Sequence, residues 1–284
     1  MYESTSLTNF IYCAVIFCST FIVAAESNKD IRALQEQNIM SVLFQQTSAE
    51  GLASSLQTYK AAQQVLDQAL ADPTWSALPG QTKYQNKKPA IILDVDETVL
   101  DNLAYQARGI LDGTSYPTGW IAWGNEVAAT EVPGAKDFLH YAHSKGVTIF
   151  YITNRVAELK NATQQNLTKL GIPWDQSQDT ILMRGENDWG SDKGSRRSLV
   201  SEEHRVMMLI GDNLGDFVDA KDNLVTPDKR KDMVQAYKEY WGTKWFMLQN
   251  TTYGDWEGAL YNFDYSLSPD EVHETRINSL QPSR

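Results

Sequence analysis

The stretch AIILDVDETVLDN, residues 90–102, joins an apolar run to a dense group of acids. A short apolar run bounded by charged residues is typical of a strand that is buried on both faces of a parallel sheet. Asp94 and Asp96 lie two residues apart, so at the end of an extended strand both carboxylates can face one pocket. Adjacent carboxylates repel each other unless a cation relieves the repulsion, and the stretch therefore predicts a cation site at a strand end.

Similar apolar runs recur downstream and alternate with helical stretches. The strand-like runs are GVTIFYITN, TILMRG, HRVMMLIGD and TKWFMLQN, and the helical stretches include GAKDFLHYAHSKG and VAELKNATQQNLTKLG. This alternation predicts an α/β fold with a mostly parallel sheet and helices on both faces. With 284 residues, the chain has room for one substantial domain with elaborations.

The region before the first strand has a helical pattern. Residues 31–70 lack proline and carry apolar residues at helical spacing, which predicts two helices with a break near residues 48–51. We therefore expect a helical extension and linker over residues 26–86. The core domain is expected over 87–284, with a small α-helical cap inserted around 103–131.

The N-terminal stretch NFIYCAVIFCSTFIVAAES is typical of a signal peptide, with predicted cleavage after Ala25. Residues 1–25 are then a signal, and the mature protein is periplasmic or secreted. The alternative is an uncleaved anchor, which would give membrane contact through this segment only. Phe17 precedes Cys18 and Tyr12 precedes Cys13, so the small residue that a lipoprotein signal requires is absent. We do not expect a lipoprotein.

Composition excludes several function classes. A net charge of -11 argues against a nucleic acid polymer as the main partner, since phosphate backbones are held by an excess of Lys and Arg. Cys13 and Cys18 are the only cysteines, so the mature chain would have no cysteine nucleophile or cysteine metal site. No R-H-G triplet offers a histidine nucleophile, and the four histidines show no ligand spacing.

Polar residues follow the predicted strands at their carboxyl ends, where parallel sheets bind ligands. In chain order they are Asp94, Asp96, Thr153, Asn154, Asp212 and Asp216, with Lys193 delivered from a loop. Oxygen ligands and scarce histidine favour Mg²⁺, to which Asp212 could add a carboxylate. Beside such a metal, Asp94 could attack phosphorus and form an aspartyl phosphate, while Asp96 protonates the leaving group and later deprotonates water.

The segments DVDET, ITN, SDKGSRR and GDNLGDF resemble the four motifs of the haloacid dehalogenase (HAD) superfamily of phosphatases. From FQQTSAE to YGDWEGAL, the chain more closely resembles the class C acid phosphatases, the family of the lipoprotein e(P4) 5'-nucleotidase. The resemblance implies a HAD-like Rossmannoid sheet. It also implies hydrolysis of small phosphomonoesters, such as 5'-nucleotides, with Mg²⁺ as cofactor.

The resemblance also implies roles for individual residues. Asp94 would be the nucleophile and a Mg²⁺ ligand, Asp96 the acid/base that also gives its backbone carbonyl to the metal, and Asp212 a further ligand. The supporting residues would be Thr153 and Asn154 on the phosphoryl oxygens, Lys193 as their counter-charge, Asp216 near the metal and Thr98 in the loop. Arg196 and Arg197 are expected on a solvated face. Glu97, Asp101 and Asn102 receive no role.

Aromatic residues of the cap admit two interpretations. Tyr116, Trp120 and Trp123 could form a small core or a stacking clamp for a nucleobase. The family resemblance places base contacts on Tyr116, Trp123 and Tyr253. Phosphoryl transfer to alcohols and a non-catalytic storage or binding protein on the same scaffold are the alternative functions, and a homo-oligomer is possible.

Overall fold

The computed structural model describes residues 31–219 and 225–283, and the predicted signal peptide lies outside them. In chain order, the helices are α1 (Ile39–Thr47), α2 (Ala49–Ala71), α3 (Leu103–Asp112), α4 (Trp120–Glu126), α5 (Ala135–Ser144), α6 (Lys160–Leu170), α7 (Gly194–Glu203), α8 (Pro227–Ala236), α9 (Asp255–Gly258) and α10 (Pro269–Asn278). The strands are β1 (Lys88–Leu93), β2 (Leu100–Asp101), β3 (Thr130–Glu131), β4 (Thr148–Val156), β5 (Ile181–Arg184), β6 (His204–Gly211) and β7 (Trp245–Met247). Over the described ranges, we find no helix with the length and apolar content needed to cross a membrane.

Five strands form the central sheet in the order β5-β4-β1-β6-β7, and every neighbouring pair is parallel. This arrangement confirms the predicted α/β fold. Strand β1, which the opening stretch predicts, lies in the middle of the sheet between β4 and β6. The carboxyl ends of these three strands therefore meet at one edge, which sets the position of the site.

Both faces of the sheet are covered, because alternate residues of the central strands enter two separate apolar clusters. Ile91 and Leu93 pack with Tyr59 of α2 and Phe138 of α5 on one face. On the other face, Ile92 packs with a cluster that includes Trp245 and Val200 of α7. Burial on both sides explains why these strands are continuous apolar runs rather than alternating ones.

The N-terminal helices are joined at Ser48, where the sequence predicts a break. The Ser48 hydroxyl accepts a hydrogen bond from the Gly51 N–H at 2.9 Å and so caps α2. Tyr59 of α2 is buried, and its hydroxyl donates to the carbonyl of Thr98 in the loop after β1. The extension therefore supports the loop that carries the predicted site.

The interval between β1 and β4 holds the helices α3 and α4, in the range where the cap is predicted. Strands β2 and β3 pair antiparallel at its base, with Leu100 opposite Glu131 and Asp101 opposite Thr130. This two-stranded ladder returns the chain to the sheet. Between β2 and β3 the insertion therefore consists of two short helices and their connections.

Candidate active site

Three carboxylates converge beyond the ends of the central strands. Asp94 follows β1, and its N–H donates to the carbonyl of Ile210 in β6 at 3.0 Å, which fixes the nucleophile candidate against the neighbouring strand. Oxygens of Asp94, Asp212 and Asp216 all lie within 4.8 Å of one another. The predicted juxtaposition of Asp94 and Asp212 is present, and Asp216 is a full member of the cluster rather than a neighbour of it.

Burial makes this cluster electrostatically costly without a cation. Desolvation raises the pKa of Asp94 to about 7, and the charges of Asp216 and Asp96 add to the rise while Lys193 opposes it. Desolvation, followed by the charges of Asp216 and Asp94, also raises the pKa of Asp212 well above its usual value. An all-oxygen ligand set whose repulsion Lys193 offsets only in part fits a hard divalent cation.

Lys193 supplies the one cationic side chain that directly contacts the described carboxylate cluster. Its ammonium forms a short ion pair with Asp94 and lies 2.7 Å from Asp216 Oδ1. Burial lowers the pKa of Lys193, but the charges of Asp216 and Asp94 outweigh that effect, so the pKa is raised overall. The side chain is therefore a permanent positive charge beside Asp94, as the predicted counter-charge role requires.

Asp216 is held in place by a tight turn after β6. Its Oδ2 accepts the Asn213 N–H at 2.9 Å, while Asn213 Oδ1 accepts the Gly215 N–H at 3.2 Å, which together form a capping box. A Cβ at Gly211 would lie 2.2 Å from Asp216 Oδ2. Glycine is therefore required at the end of β6 for Asp216 to reach the cluster.

Asp212 is oriented by two neutral side chains. Asn250 Nδ2 donates to Asp212 Oδ2 at 2.9 Å, and Thr98 Oγ1 lies 3.4 Å from Asp212 Oδ1. The sequence prediction for Thr98, a loop-fixing role, did not include this contact with Asp212. Asn250 was not predicted as a site residue, although it follows the apolar run of β7 just as Asp212 follows that of β6.

Thr153 and Asn154 lie at the end of β4, where they were predicted. Thr153 is fully buried, whereas Asn154 is exposed and its Oδ1 accepts a hydrogen bond from Arg196 Nη2 at 2.7 Å. Arg196 Nη1 also donates to the Thr153 carbonyl at 2.6 Å. Arg196 thus links this part of β4 to α7.

The expectation of a solvated face for Arg196 and Arg197 is wrong. Arg196 is 0% exposed and Arg197 is 4% exposed. Arg197 Nη1 donates to the carbonyls of Gly215 and Asp216 at 2.9 and 3.0 Å. The Thr153 carbonyl lies where the pairing of β4 with β5 becomes irregular, and the carbonyls of Gly215 and Asp216 lie in the turn after β6. The two guanidinium groups supply donors to these carbonyls.

Asp96 lies beside the carboxylate cluster but outside it. Its side chain is 16% exposed and pairs with the buried Arg155, whose Nη2 lies 2.8 Å from Asp96 Oδ1. Asn102 Nδ2 donates to the same oxygen at 2.8 Å. The sequence analysis did not predict Arg155 as a site residue and left Asn102 without a role. The position of Arg155 directly after the ITN segment is the sequence feature that could have identified it.

The aromatic residues of the cap separate into buried and exposed members. Tyr116 is 57% exposed, and its ring lies 6.1 Å from the half-buried Trp120. Trp123 is 3% exposed, and the guanidinium of Arg108 lies over its ring at 4.9 Å. The position of Trp123 therefore fits the small-core interpretation rather than an open stacking face. Tyr253 is half-buried in the loop after Asn250.

Comparisons with known proteins agree with this geometry. A sequence model described as HAD superfamily, subfamily IIIB (Acid phosphatase), matches residues 5–256. The chain is similar to the class C acid phosphatase from Bacillus anthracis, with 38% identity over 88% of this chain and 99% of that chain and a TM-score of 0.78. The same enzyme with tungstate bound matches with the same identity and coverage and a TM-score of 0.77. With three aspartates and a lysine gathered at the carboxyl edge of the sheet, the chain belongs to the acid phosphatases of HAD subfamily IIIB and is a phosphomonoester hydrolase.

Proposed function

We propose that this protein is a Mg²⁺-dependent acid phosphatase that hydrolyses 5'-nucleotides and other small organic phosphates through an aspartyl phosphate on Asp94. The observation that carries the proposal is the buried carboxylate of Asp94, which lies in a cluster with Asp212 and Asp216 and is paired with Lys193. A nucleophile, a metal-ligand set and a fixed cation are thereby gathered where a phosphoryl group would bind.

In the first step, a carboxylate oxygen of Asp94 attacks phosphorus while the bond from phosphorus to the ester oxygen breaks. Asp96 gives its proton to the departing alkoxide. In the second step, water attacks the phosphorus of the aspartyl phosphate, Asp96 takes a proton from that water, and Asp94 is released with inorganic phosphate. Lys193 neutralises phosphoryl oxygens in both steps.

The metal would be held by Asp94, Asp212 and the backbone carbonyl of Asp96, with Asp216 beside it. Bound there, Mg²⁺ would offset the charge on the carboxylates and on the phosphoryl oxygens. Burial raises the pKa of Asp94 and of Asp212, and the charges of neighbouring carboxylates raise both further. A cation bound among these carboxylates would offset their charges, which supports a metal at this position.

The substrate class is inferred from the cap. Two short helices leave the entrance open to varied organic groups, and the exposed ring of Tyr116 offers a face on which a base could stack, with Tyr253 on the loop after β7. The tungstate in the Bacillus anthracis relative is a tetrahedral oxyanion, like phosphate, and supports a phosphoryl-binding pocket. We therefore place 5'-nucleotides first among the expected substrates.

The test is phosphate release from a panel of nucleotides, aryl phosphates and alkyl phosphates, for wild type and Asp94→Asn, with Mg²⁺ and with a chelator. Asp94→Asn keeps the shape of the side chain and removes the nucleophile, so activity is expected to fall to background. The exposed Asp137 on α5 provides the control Asp137→Asn, which should match wild type. Activity that survives both the substitution and the chelator would overturn the mechanism and the metal together.

Two further parts of the proposal have their own tests. Product analysis with an added alcohol distinguishes hydrolysis from phosphoryl transfer, since transfer would give a new phosphomonoester instead of inorganic phosphate. Export is proposed from the predicted signal, and the intact mass of the protein recovered outside the cytoplasm should correspond to a chain that starts at Glu26. A mass that retains residues 1–25 would favour the anchor.

A further inference from the structure

The carboxylate of Asp96 is held asymmetrically, because two hydrogen bonds and an ion-pair contact all end on a single oxygen. Arg155 Nε donates to Oδ1 at 2.9 Å, Asn102 Nδ2 donates to the same atom at 2.8 Å, and Arg155 Nη2 lies 2.8 Å from it in an ion pair. An oxygen with two donors and a guanidinium contact has little capacity left to carry a proton. The proton that Asp96 exchanges with a substrate is therefore assigned to Oδ2.

Asn102 is fixed in the orientation that this arrangement requires. Its Oδ1 accepts from Trp123 Nε1 at 2.8 Å and from Arg155 Nη2 at 3.1 Å, and the side chain is completely buried. An indole nitrogen and a guanidinium can only donate, so Oδ1 must face them and Nδ2 must face Asp96. The N–H of Asn102 also donates to Glu97 Oε1 at 2.8 Å, which holds its backbone.

Arg155 is equally constrained. It is 2% exposed, and its third donor, Nη1, contacts Thr163 Oγ1 of α6 at 3.2 Å. The guanidinium also lies 5.5 Å from the ring centre of Trp120 in the cap. A planar guanidinium with partners on the loop after β1, on α6 and in the cap has a single orientation. In that orientation Nε donates to Asp96, and Nη2 lies against the same oxygen and donates to Asn102.

We propose that Arg155 and Asn102 are positioning residues for the proton donor Asp96, and that Trp123 links the cap to this function by fixing the amide of Asn102. The proposal rests on the acid/base role of Asp96 given above. It identifies a task for Asn102 and explains why an aromatic residue of the cap is buried: its indole N–H is part of the network behind the acid.

If these residues position Asp96, the loss of activity on replacing them should depend on the leaving group of the substrate. A nitrophenolate departs without a proton, whereas an alkoxide such as the 5'-oxygen of a nucleoside requires one, so a displaced Asp96 slows the first step only for the second class. Activation of water in the second step is common to all substrates and affects kcat, whereas kcat/KM reports the first step alone. The experiment therefore measures kcat/KM for 4-nitrophenyl phosphate, phenyl phosphate and an alkyl phosphate. The variants are Asp96→Asn, Asn102→Leu, Arg155→Lys and Trp123→Phe, each with a melting temperature and with the inhibition constant of inorganic phosphate.

We expect Asn102→Leu and Arg155→Lys to lower kcat/KM for the alkyl phosphate by about 10- to 100-fold, within the range of a general acid, and for 4-nitrophenyl phosphate by less than about threefold. Inhibition by inorganic phosphate should stay within about twofold of wild type, because Asp94 and Lys193 are not contacted by these two side chains. Trp123→Phe keeps an aromatic ring and should show the same dependence on the leaving group, with a smaller loss for the alkyl phosphate. This variant tests the proposal if the other variants fail to fold.

Asn166→Leu is the matched control, since it replaces another buried asparagine in the same way and removes a hydrogen bond to the Ala129 carbonyl, outside the network around Asp96. Its losses should be small and equal for all leaving groups. Equal losses across the series in Asn102→Leu, Arg155→Lys and Trp123→Phe, with Asp96→Asn still selective, would overturn the positioning role alone. If Asp96→Asn itself shows no leaving-group dependence, the acid/base role of Asp96 fails, and the positioning role fails with it.

Discussion

Replacing Tyr59 with phenylalanine tests whether the N-terminal helices stabilise the catalytic loop as well as the fold. Tyr59 is 2% exposed on α2, and its hydroxyl donates to the carbonyl of Thr98, four residues after Asp94. Phenylalanine fills the same volume and removes only that donor. The substitution therefore isolates one buried hydrogen bond between the extension and the loop that carries Asp94 and Asp96.

The expected loss of stability follows from the burial of both partners of this hydrogen bond. Loss of a net hydrogen bond, together with a buried carbonyl left unpaired, costs about 1–3 kcal/mol of unfolding free energy. For a chain of this size, each kcal/mol shifts the melting temperature by about 2–4 °C, which gives a decrease of about 2–12 °C. Because the loop then loses a fixed point close to Asp96, we expect kcat to fall by about three- to tenfold with little change in KM.

Tyr151→Phe provides a matched control. Tyr151 is also fully buried, and its hydroxyl donates to the carbonyl of Pro173 at 2.6 Å, in a loop that does not carry a site residue. It should lose a similar amount of stability and keep its kcat. The assay is calorimetric or fluorescence-monitored melting, combined with steady-state kinetics well below both melting temperatures. An unchanged melting temperature for Tyr59→Phe, or equal kcat losses in both variants, would refute the reasoning.

Three further predictions concern other parts of the network. Arg196→Met should lower the free energy of unfolding by about 3 kcal/mol in denaturant titrations, because the bonds to Thr153 and Asn154 are lost from a buried guanidinium. Asn250→Ala should weaken Mg²⁺ binding by about 10- to 100-fold, seen as the Mg²⁺ concentration needed for half-maximal activity and for thermal stabilisation, because Asp212 loses its 2.9 Å partner. His204→Phe should reduce the loss of melting temperature between pH 7 and pH 5. Burial, followed by the charge of Lys88, lowers the pKa of His204, so its stability contribution is present above the unfolded pKa of about 6.5 and is lost as the pH falls.

Each of these predictions has a contrasting control. Lys231→Met removes an exposed ion pair with Asp228 and should leave the free energy of unfolding close to that of wild type, so an equally small effect of Arg196→Met would contradict its buried role. Asn250→Ala with unaltered Mg²⁺ dependence would exclude Asn250 from the metal site. The exposed His143 gives His143→Phe, whose pH dependence should follow wild type; if His204→Phe also follows wild type, burial of His204 does not drive acid sensitivity.

The sequence predicts the sheet because its central strands are buried on both faces and must therefore be continuously apolar. The opening stretch alone locates β1, and the acids after it locate the edge where the site forms. Asp94 and Asp212 converge because parallel strands end on one side, and Lys193 reaches Asp94 from the start of α7. These inferences need only periodicity and the direction of each strand.

Other features depend on partners that no local pattern reveals. Arg196 and Arg197 follow Lys193 in a charged segment that is usually solvated, and their burial depends on carbonyls in turns that are distant in sequence. The role of Asn102 requires Trp123, Arg155 and Asp96 to meet, and each of these residues belongs to a different element. An aromatic residue in a cap insertion can equally face a substrate or the core, and for Trp123 its burial and its hydrogen bond to Asn102 decide between the two.

Contacts in the active site join residues that are far apart in the sequence. The contact between Lys193 and Asp94 spans 99 residues, and the contact between Thr98 and Asp212 spans 114. Contacts of such separation form slowly, because the entropy of closing the intervening chain is lost before they contribute any stability. During refolding from denaturant, helix content and apolar collapse should therefore recover first. The return of phosphatase activity would mark the final docking of β6 and α7 beside β1.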